Sequence, residues 1–259
     1  MTTIITGSAG FIGQTFMTRL PDAVQVEQHN CWPWLESFDA WHKVDAIIHQ
    51  GAISSTTEQD PVRLHHYNVA FSLALFEKAI EHQIPVKYAS SASVYGNAND
   101  QVNPLNQYAI SKLTVDYWVQ HNMHRFKHIQ GFRYFNVYGD GEEHKGNQAS
   151  PVSKFTWQIQ QRGYLELFEN SDKFLRDFIW VGDVVDVVLN NTRSSGIYDL
   201  GTSKPVSFQH VAKCVAGKLG GEIRYVPFPD HLIGRYQTYT CARNDWPEHR
   251  FATIEEYLT

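Results

Sequence analysis

Three groups of residues in this chain have the types and spacing for chemistry. The first is Gly7-Ser-Ala-Gly10-Phe-Ile-Gly13, which follows the β-branched run from Thr2 to Thr6 and precedes a helical pattern. Glycines there permit a tight turn, close approach of the backbone to a pyrophosphate, and close helix–strand packing. The helix start adds oriented N–H donors. An ordinary β–α turn can carry the same glycines, so it is the strand–turn–helix context that points to a dinucleotide. The second group is Tyr108-Ala-Ile-Ser-Lys112, whose phenol and ammonium, at i and i+4, share a helix face. A nearby ammonium lowers the pKa of a phenol, which suits Tyr108 to acid/base work near neutrality. The third is Ser90-Ser91 at the end of the preceding strand, offering a hydroxyl to the same substrate oxygen. A lone Tyr-x-x-x-Lys is an ordinary surface pair. Glycine turn, strand-end serine and helical Tyr/Lys in this order are specific.

The elements that must position these groups alternate. Strands are expected at 2–6, 24–28, 46–50, 84–90 and 129–135. Between them lie a helix with Phe11, Phe16 and Leu20 inward and a long helix over about 60–83 with Val69, Leu73, Phe76 and Ile80 on one face. A third helix spans 108–121. Such alternation predicts a parallel sheet covered on both faces. After Gly139 the rhythm changes: a polar loop over 141–150, a helix over 151–162, a segment at 178–181 able to rejoin the sheet, and a helix over 184–191. A proline-punctuated tail follows. The expected fold is α/β, a Rossmann-type doubly wound parallel sheet with a small discontinuous substrate-binding domain. Residues 1–140 and 172–203 are expected to form the NAD(P)-binding domain, and 141–171 and 204–259 the cap.

Composition narrows the class. The 259 residues are 42% hydrophobic and 19% charged, a folding composition. With 22 Lys plus Arg against 27 Asp plus Glu, the formal net charge of −5 offers no global attraction for nucleic acid or an anionic membrane. Cys31, Cys214 and Cys241 form neither a metal-ligand pair nor a disulfide framework, which suits a reducing compartment. No apolar run approaches the roughly 18 residues of a spanning helix, and no basic n-region precedes the first apolar stretch. His65, His66, His121 and His124 show no zinc-enzyme spacing and are expected to be polar surface or core groups, with no metal bound. Trp32, Trp34 and Trp41 are expected to pack under the sheet edge, Asp177 to sit at a strand end and Asp183 to cap a helix. A cytoplasmic protein without nucleic-acid or membrane partners is expected.

TGSAGFIG, YASSASVYG and YAISK resemble the extended short-chain dehydrogenase/reductases, which act on nucleotide sugars. HQGAISSTTE, GFRYFNVYG, EEHKGNQAS, LFENSDKFLRDFIWVGDV, GIYDLGTS and PFPDHLIGRYQ resemble the ADP-L-glycero-D-manno-heptose 6-epimerase family over nearly the whole chain. The resemblance implies one tightly bound NADP or NAD per subunit, a nucleotide-sugar substrate and a homo-oligomer. It implies that Gly7, Gly10, Phe11, Ile12 and Gly13 line the cofactor pyrophosphate, with Gln50, Gly51 and Ala52 beneath it. Asn68 and Val137 would lie near the cofactor, and Lys112 would bond its nicotinamide ribose. Ser91 would orient the reacting hydroxyl, and Tyr108 and Lys145 would be the two acid/bases. Ser54, Asn136, Asn147, Lys154, Phe168, Glu169, Asn170, Ser171, Arg176 and Tyr236 would hold the sugar nucleotide, Arg176 by its planar fork on phosphate.

Two bases suit the chemistry. The C–H of an unactivated secondary alcohol is not acidic, so inversion requires oxidation to a carbonyl and reduction from the other face. The two configurations point the hydroxyl in different directions, so Tyr108 and Lys145 on opposite sides make physical sense. By spacing alone Lys145 is a solvated loop charge beside Glu142 and Glu143.

The chain departs from the family between the first helix and the strand at 46–50, where only residues 20–45 stand and a third strand is missing. The sheet is therefore expected to be one strand short. Glu27 is the acidic candidate at the end of the second strand and would favour the free ribose of NAD over the phosphate of NADP. Gln28, His29 and Asn30 could accept either. Asn147 and Lys154 stand where the family commonly has serine and histidine. A nucleotide-sugar 4-epimerase or related enzyme is the alternative function. Ala92-Ser93, where dehydratases carry Asp-Glu, argues against dehydration. A cofactor-binding protein without turnover is disfavoured by the intact set Ser91, Tyr108, Lys112 and Lys145.

Overall fold

The computed structural model describes residues 2–97, 101–229 and 237–259, with the backbone but not the side chain of Asn147. In chain order the elements begin β1 (Thr2–Thr6), α1 (Phe11–Arg19), β2 (Val24–Val26), α2 (Cys31–Ser37), β3 (Val44–His49), α3 (Pro61–Leu64), α4 (Phe71–Glu81), β4 (Val86–Ser91), α5 (Gln107–Asn122) and β5 (Ile129–Tyr134). They continue β6 (Val137–Tyr138), α6 (Pro151–Arg162), β7 (Tyr164–Phe168), β8 (Leu175–Arg176), β9 (Ile179–Trp180) and α7 (Val181–Asn190). The last are β10 (Gly196–Leu200), β11 (Val206–Ser207), α8 (Phe208–Leu219), β12 (Glu222–Val226) and α9 (Ile254–Leu258). Two compact units divide the chain: 1–96 with 102–134 and 185–198, and 97–101 with 135–184 and 199–259.

The first unit is built on a six-stranded sheet of order β10-β5-β4-β3-β1-β2. β1 pairs in parallel with β2 and β3, β3 with β4, and β4 with β5. A doubly wound sheet of order 3-2-1-4-5-6 would carry one more strand outside β2. Its absence follows the short 20–45 interval. In its place Trp34, Phe38 and Trp41 pack ring to ring at 4.9–5.6 Å, and Trp41 stacks on His82 at 5.8 Å. Cys31, Leu35 and Trp41 join Ile4, Val26 and Ile47 in one core, so the cluster covers the sheet where a strand–helix unit is missing.

The long helix expected over 60–83 is interrupted. α3, capped by Asp60, runs into a π-helical turn over His65–Ala70 before α4. The π turn holds an extra residue and slips the helical phase. Beyond it the buried positions are Phe71, Ser72, Leu75, Phe76 and Ala79, while Leu73 and Ile80 are only partly buried. The expected face thus holds at Val69 and Phe76 alone. The same turn carries Asn68 inward beside Val69.

Between β4 and β5, Tyr88 stands opposite Gly131, where a Cβ would fall 2.4 Å from the Tyr88 ring. Glycine at that one position lets the ring cross β5 and bring its hydroxyl 3.0 Å from Asp116.

In the second unit β7 and β12 pair in parallel, β8 and β11 pair antiparallel, and α6 and α8 share a core with β7 through Phe155, Ile159, Leu165, Val211 and Val215. The segment 178–181 does not rejoin the main sheet. Ile179–Trp180 pair instead with Val137–Tyr138, and Val181 already begins α7, leaving a strand of two residues. The sixth sheet position is taken by β10. The β6–β9 pairing ties 135–140 to the second unit, so the compact units divide near 134, 184 and 198 rather than 140, 171 and 203. Among the described residues, no helix is long and apolar enough to cross a membrane.

Candidate active site

In the first unit, β1 delivers the glycine turn. Gly7 has φ 68° and its Cβ would fall 2.7 Å from the Cα of Gly51; a Cβ on Gly13 would fall 2.0 Å from the Gly7 carbonyl. The fold itself demands both glycines. Gly10 is different: its φ is −74°, and its Cβ would meet only the Gly7 carbonyl, at 3.3 Å. It caps α1 without a side-chain hydrogen bond, leaving a bare helix start of the kind that receives a pyrophosphate. Phe11 is buried and Ile12 half-buried behind it. Gly51 donates its N–H to Thr6 Oγ1 at 2.9 Å, and Ala52 follows half-buried.

Gln50 accepts the Tyr134 hydroxyl at 3.0 Å, but its buried Nε2 has no hydrogen-bond partner among the described residues. Glu27, just beyond β2, accepts the Ala9 N–H at 2.8 Å and the Ser8 hydroxyl, which fastens its carboxylate to the glycine turn. Asn68 is buried; its Oδ1 accepts the Ile53 N–H at 2.8 Å, and its Nδ2 donates to Ile53 and Ser111 at 3.0 Å each. Both its N–H donors are thus committed within the protein. Ser54 is exposed.

The candidate acid/base group occupies the same unit. Ser91 ends β4, and its Oγ accepts from the Ser93 N–H at 3.2 Å and the Ser93 hydroxyl at 2.9 Å. With both of those bonds donated inward, the Ser91 proton is left for the Tyr108 oxygen, with which it hydrogen-bonds. Asn106 caps α5 by accepting the Ala109 N–H at 2.8 Å, fixing Tyr108 in the first turn. The expected lowering of the Tyr108 pKa is not what the fold produces. Burial pushes the phenol up, and the bond from Ser91 only partly opposes it.

Lys112, one turn on, is buried and donates to the Ala89 carbonyl at 2.9 Å. Burial brings its ammonium down to about 8, with Asp116 pulling the other way. Asp116 accepts from Tyr88 and Ser90 at 3.0 Å each and from Arg133 Nε at 2.9 Å; Arg133 Nη1 reaches the Tyr95 hydroxyl at 2.8 Å. Asp116, Arg133 and Ser93 escaped the sequence reading. Asp116 could have been found, because Tyr108, Lys112 and Asp116 continue the i+4 series on one face.

In the second unit Lys145 is not a solvated loop charge. Its Nζ lies 3.1 Å from Glu142, whose side chain is wholly buried. Glu142 also accepts from the Ser150 N–H at 2.7 Å, the Ser150 hydroxyl at 2.6 Å and the Ser153 hydroxyl at 2.8 Å. Lys154, on α6, is half-buried, and burial lowers its pKa while Glu142 raises it and Lys145 lowers it further. Asn136 donates to the Asp177 carbonyl and to Thr240 Oγ1, both at 3.0 Å, and Val137 opens β6.

Phe168 ends β7, with Glu169 and Asn170 exposed after it. Ser171 is buried, with an Oγ lacking a partner among the described residues. Arg176 is buried in β8, its guanidinium 5.8 Å from the Phe208 ring. The side chain of Asn147 and all of Tyr236 lie outside the described residues. Asp177 serves a strand end, accepting from Thr202, Ser203 and Ala242. Asp183 stands in the first turn of α7 and holds His249 and the Ala252 N–H.

The sequence model of the NAD dependent epimerase/dehydratase family matches residues 3–201. Among solved structures, the ADP-L-glycero-D-manno-heptose-6-epimerase of Helicobacter pylori is similar at 25% identity and TM-score 0.84, with 99% of this chain and 93% of that one covered. Two further neighbours share the fold. The UDP-glucose 4-epimerase of Thermotoga maritima, with UDP-glucose, has 20% identity and TM-score 0.85 over 100% and 96% of the chains. That of Thermus thermophilus, in complex with NAD, has 21% identity and TM-score 0.73 over 91% and 93%. The chain belongs to the NAD dependent epimerase/dehydratase family. It is an NAD(P)-dependent enzyme. Its residues fit that cofactor: the turn at Gly7–Gly13 has no side chain at Gly10, and Gln50, next in the chain to the Gly51 that packs on Gly7, keeps a buried amide donor without a partner among the described residues.

Proposed function

We propose that this enzyme inverts carbon 6 of ADP-D-glycero-D-manno-heptose to the L-glycero form, working in the cytoplasm as a homo-oligomer. The first unit would serve the cofactor and the second would hold the sugar nucleotide. The observation that carries this reading is Lys145, which the buried Glu142 carboxylate fixes in place as a second acid/base that a 4-epimerase does not need. The 25% identity with the H. pylori 6-epimerase supports it.

When bound, the nicotinamide supplies the removal and return of hydride at the sugar carbon. Tyr108 takes the proton of the reacting hydroxyl in one configuration, with Ser91 donating to its oxygen. Lys112 orients the nicotinamide ribose and supplies positive charge behind Tyr108. Lys145 exchanges the proton of the hydroxyl in the other configuration, and Glu142 keeps its ammonium anchored. Arg176 pairs with the pyrophosphate of the sugar nucleotide, whose oxygens its planar fork suits.

Proton NMR at sugar carbon 6 tests this on the purified protein with ADP-D-glycero-D-manno-heptose. Conversion should fall about 10²–10⁴-fold in both Tyr108→Phe and Lys145→Met, the share a positioned acid/base supplies. Full activity in Lys145→Met, or turnover of UDP-glucose with the heptose untouched, would move the assignment to a 4-epimerase.

Cofactor choice follows from Glu27. A carboxylate held on the glycine turn accepts ribose hydroxyls and repels a 2′-phosphate. Fluorescence titration should show NAD binding about tenfold or more tighter than NADP, a gap of roughly 1.4 kcal/mol. Glu27→Gln should narrow the gap. A wild-type preference for NADP sinks this assignment.

A further inference from the structure

Helix α8 exposes two metal-binding side chains one turn apart. Ser207 caps the helix by accepting the His210 N–H at 3.0 Å, and His210 and Cys214, at i and i+4, share a face. α9 packs against that face through the core shared by Ile254, Val211 and Val215. Its capping box, Thr253 with Glu256, sets the first turn and leaves the neighbouring Glu255 turned to α8. The three donors converge: His210 Nε2 lies 3.6 Å from Cys214 Sγ and 2.8 Å from Glu255 Oε1, and Sγ lies 3.3 Å from the same Oε1. Tetrahedral zinc, with bonds of about 2.0–2.3 Å to N, O and S, sets its ligand atoms roughly 3.3–3.6 Å apart. The two edges that meet at sulfur already have that length, and the His–Glu edge has to open by about half an ångström.

We propose that His210, Cys214 and Glu255 form a binding site for one divalent transition cation of the zinc class, which clips α9 to α8. The donor set is nitrogen, sulfur and oxygen, which selects zinc or cobalt over magnesium or calcium. A thiolate and a carboxylate supply two negative charges for a dication. Lys218, also on α8, donates to the Thr259 carbonyl at 3.0 Å, and Arg250 pairs with Glu256 of α9. The His210 and Glu255 side chains are 43% and 52% exposed, so an ion can enter and water can fill a fourth position. Without a cation the same atoms form a histidine–carboxylate–thiol hydrogen-bond cluster, and the experiment separates the two. The site is independent of the epimerase assignment.

Chelator-treated, reduced full-length protein is titrated with cobalt(II). One equivalent should produce the thiolate-to-cobalt charge-transfer absorption and the strong visible bands of a tetrahedral ion, and zinc should bleach them. Cys214→Ser should abolish the charge-transfer band and weaken zinc binding about tenfold or more, with Cys31 and Cys241 intact. Glu255→Gln, at a half-exposed position that does not threaten folding, should also weaken binding. Zinc should raise the Tm of wild type and not of Cys214→Ser. No thiolate–cobalt band at one equivalent, or a band unchanged by Cys214→Ser or by Glu255→Gln, overturns the proposal.

Discussion

Asp116→Ala is expected to destabilise the protein by about 3–5 kcal/mol, the usual cost of stranding one half of a buried ion pair. The carboxylate is fully buried and accepts from Tyr88, Ser90 and Arg133 at once. Its removal leaves a guanidinium with 9% side-chain exposure and two hydroxyls without their acceptor. Against a typical domain stability of roughly 5–15 kcal/mol this is a large fraction. Arg133→Met added to Asp116→Ala should recover part of the loss, because the stranded charge goes with it. Urea unfolding of the three variants measures both effects. A single variant losing less than about 1 kcal/mol, or a double variant no better than the single, would contradict this account of the network.

Lys112→Met should move activity and stability in opposite directions. Under the proposed function turnover should collapse, because the ammonium assigned to the nicotinamide ribose and Tyr108 is gone. Stability at pH 7 should rise. The folded pKa of Lys112, about 8, lies below its ordinary value of 10.5, so the unfolded chain binds the extra proton between those values. In wild type the burial penalty is therefore complete below pH 8 and fades as pH rises towards 10.5. The gain in Lys112→Met should be roughly 3 kcal/mol at most, less the lost hydrogen bond to Ala89, and should vanish above the upper value. Denaturation at pH 7 and pH 11 gives both ends of the window. A variant clearly less stable than wild type at pH 7 would show that Lys112 contributes more through its contacts than its buried charge costs. Such functional strain is a common trade of stability for activity.

The recognisable parts of the candidate active site were legible where chemistry rides on local spacing. Tyr108 and Lys112 share a helix face because they stand four residues apart, and both lie buried on α5 as that spacing requires. Glu142 was illegible for the opposite reason. In sequence it is one acid in a polar loop, and only the return of Ser150 and Ser153 around its carboxylate makes it a buried anchor for Lys145. The face of the helix after Asp60 was misplaced because a π turn slips the phase without changing composition. Ile179–Trp180 looked like a sheet strand since a short apolar run does not say which partner it will meet.

By itself the sequence determined the strand–turn–helix start, the parallel sheet that is one strand short, the Tyr/Lys face and the family. Each depends on backbone geometry that neighbouring residues settle among themselves: periodicity, glycine conformation and chain length. Only the tertiary structure decided that the Tyr108 phenol is raised rather than lowered, that Arg133 of β5 meets Asp116 of α5 in a buried ion pair, and that Cys214 faces Glu255 across 41 residues. Desolvation and the meeting of charged or ligating atoms depend on which distant segments pack together, and no local pattern encodes that.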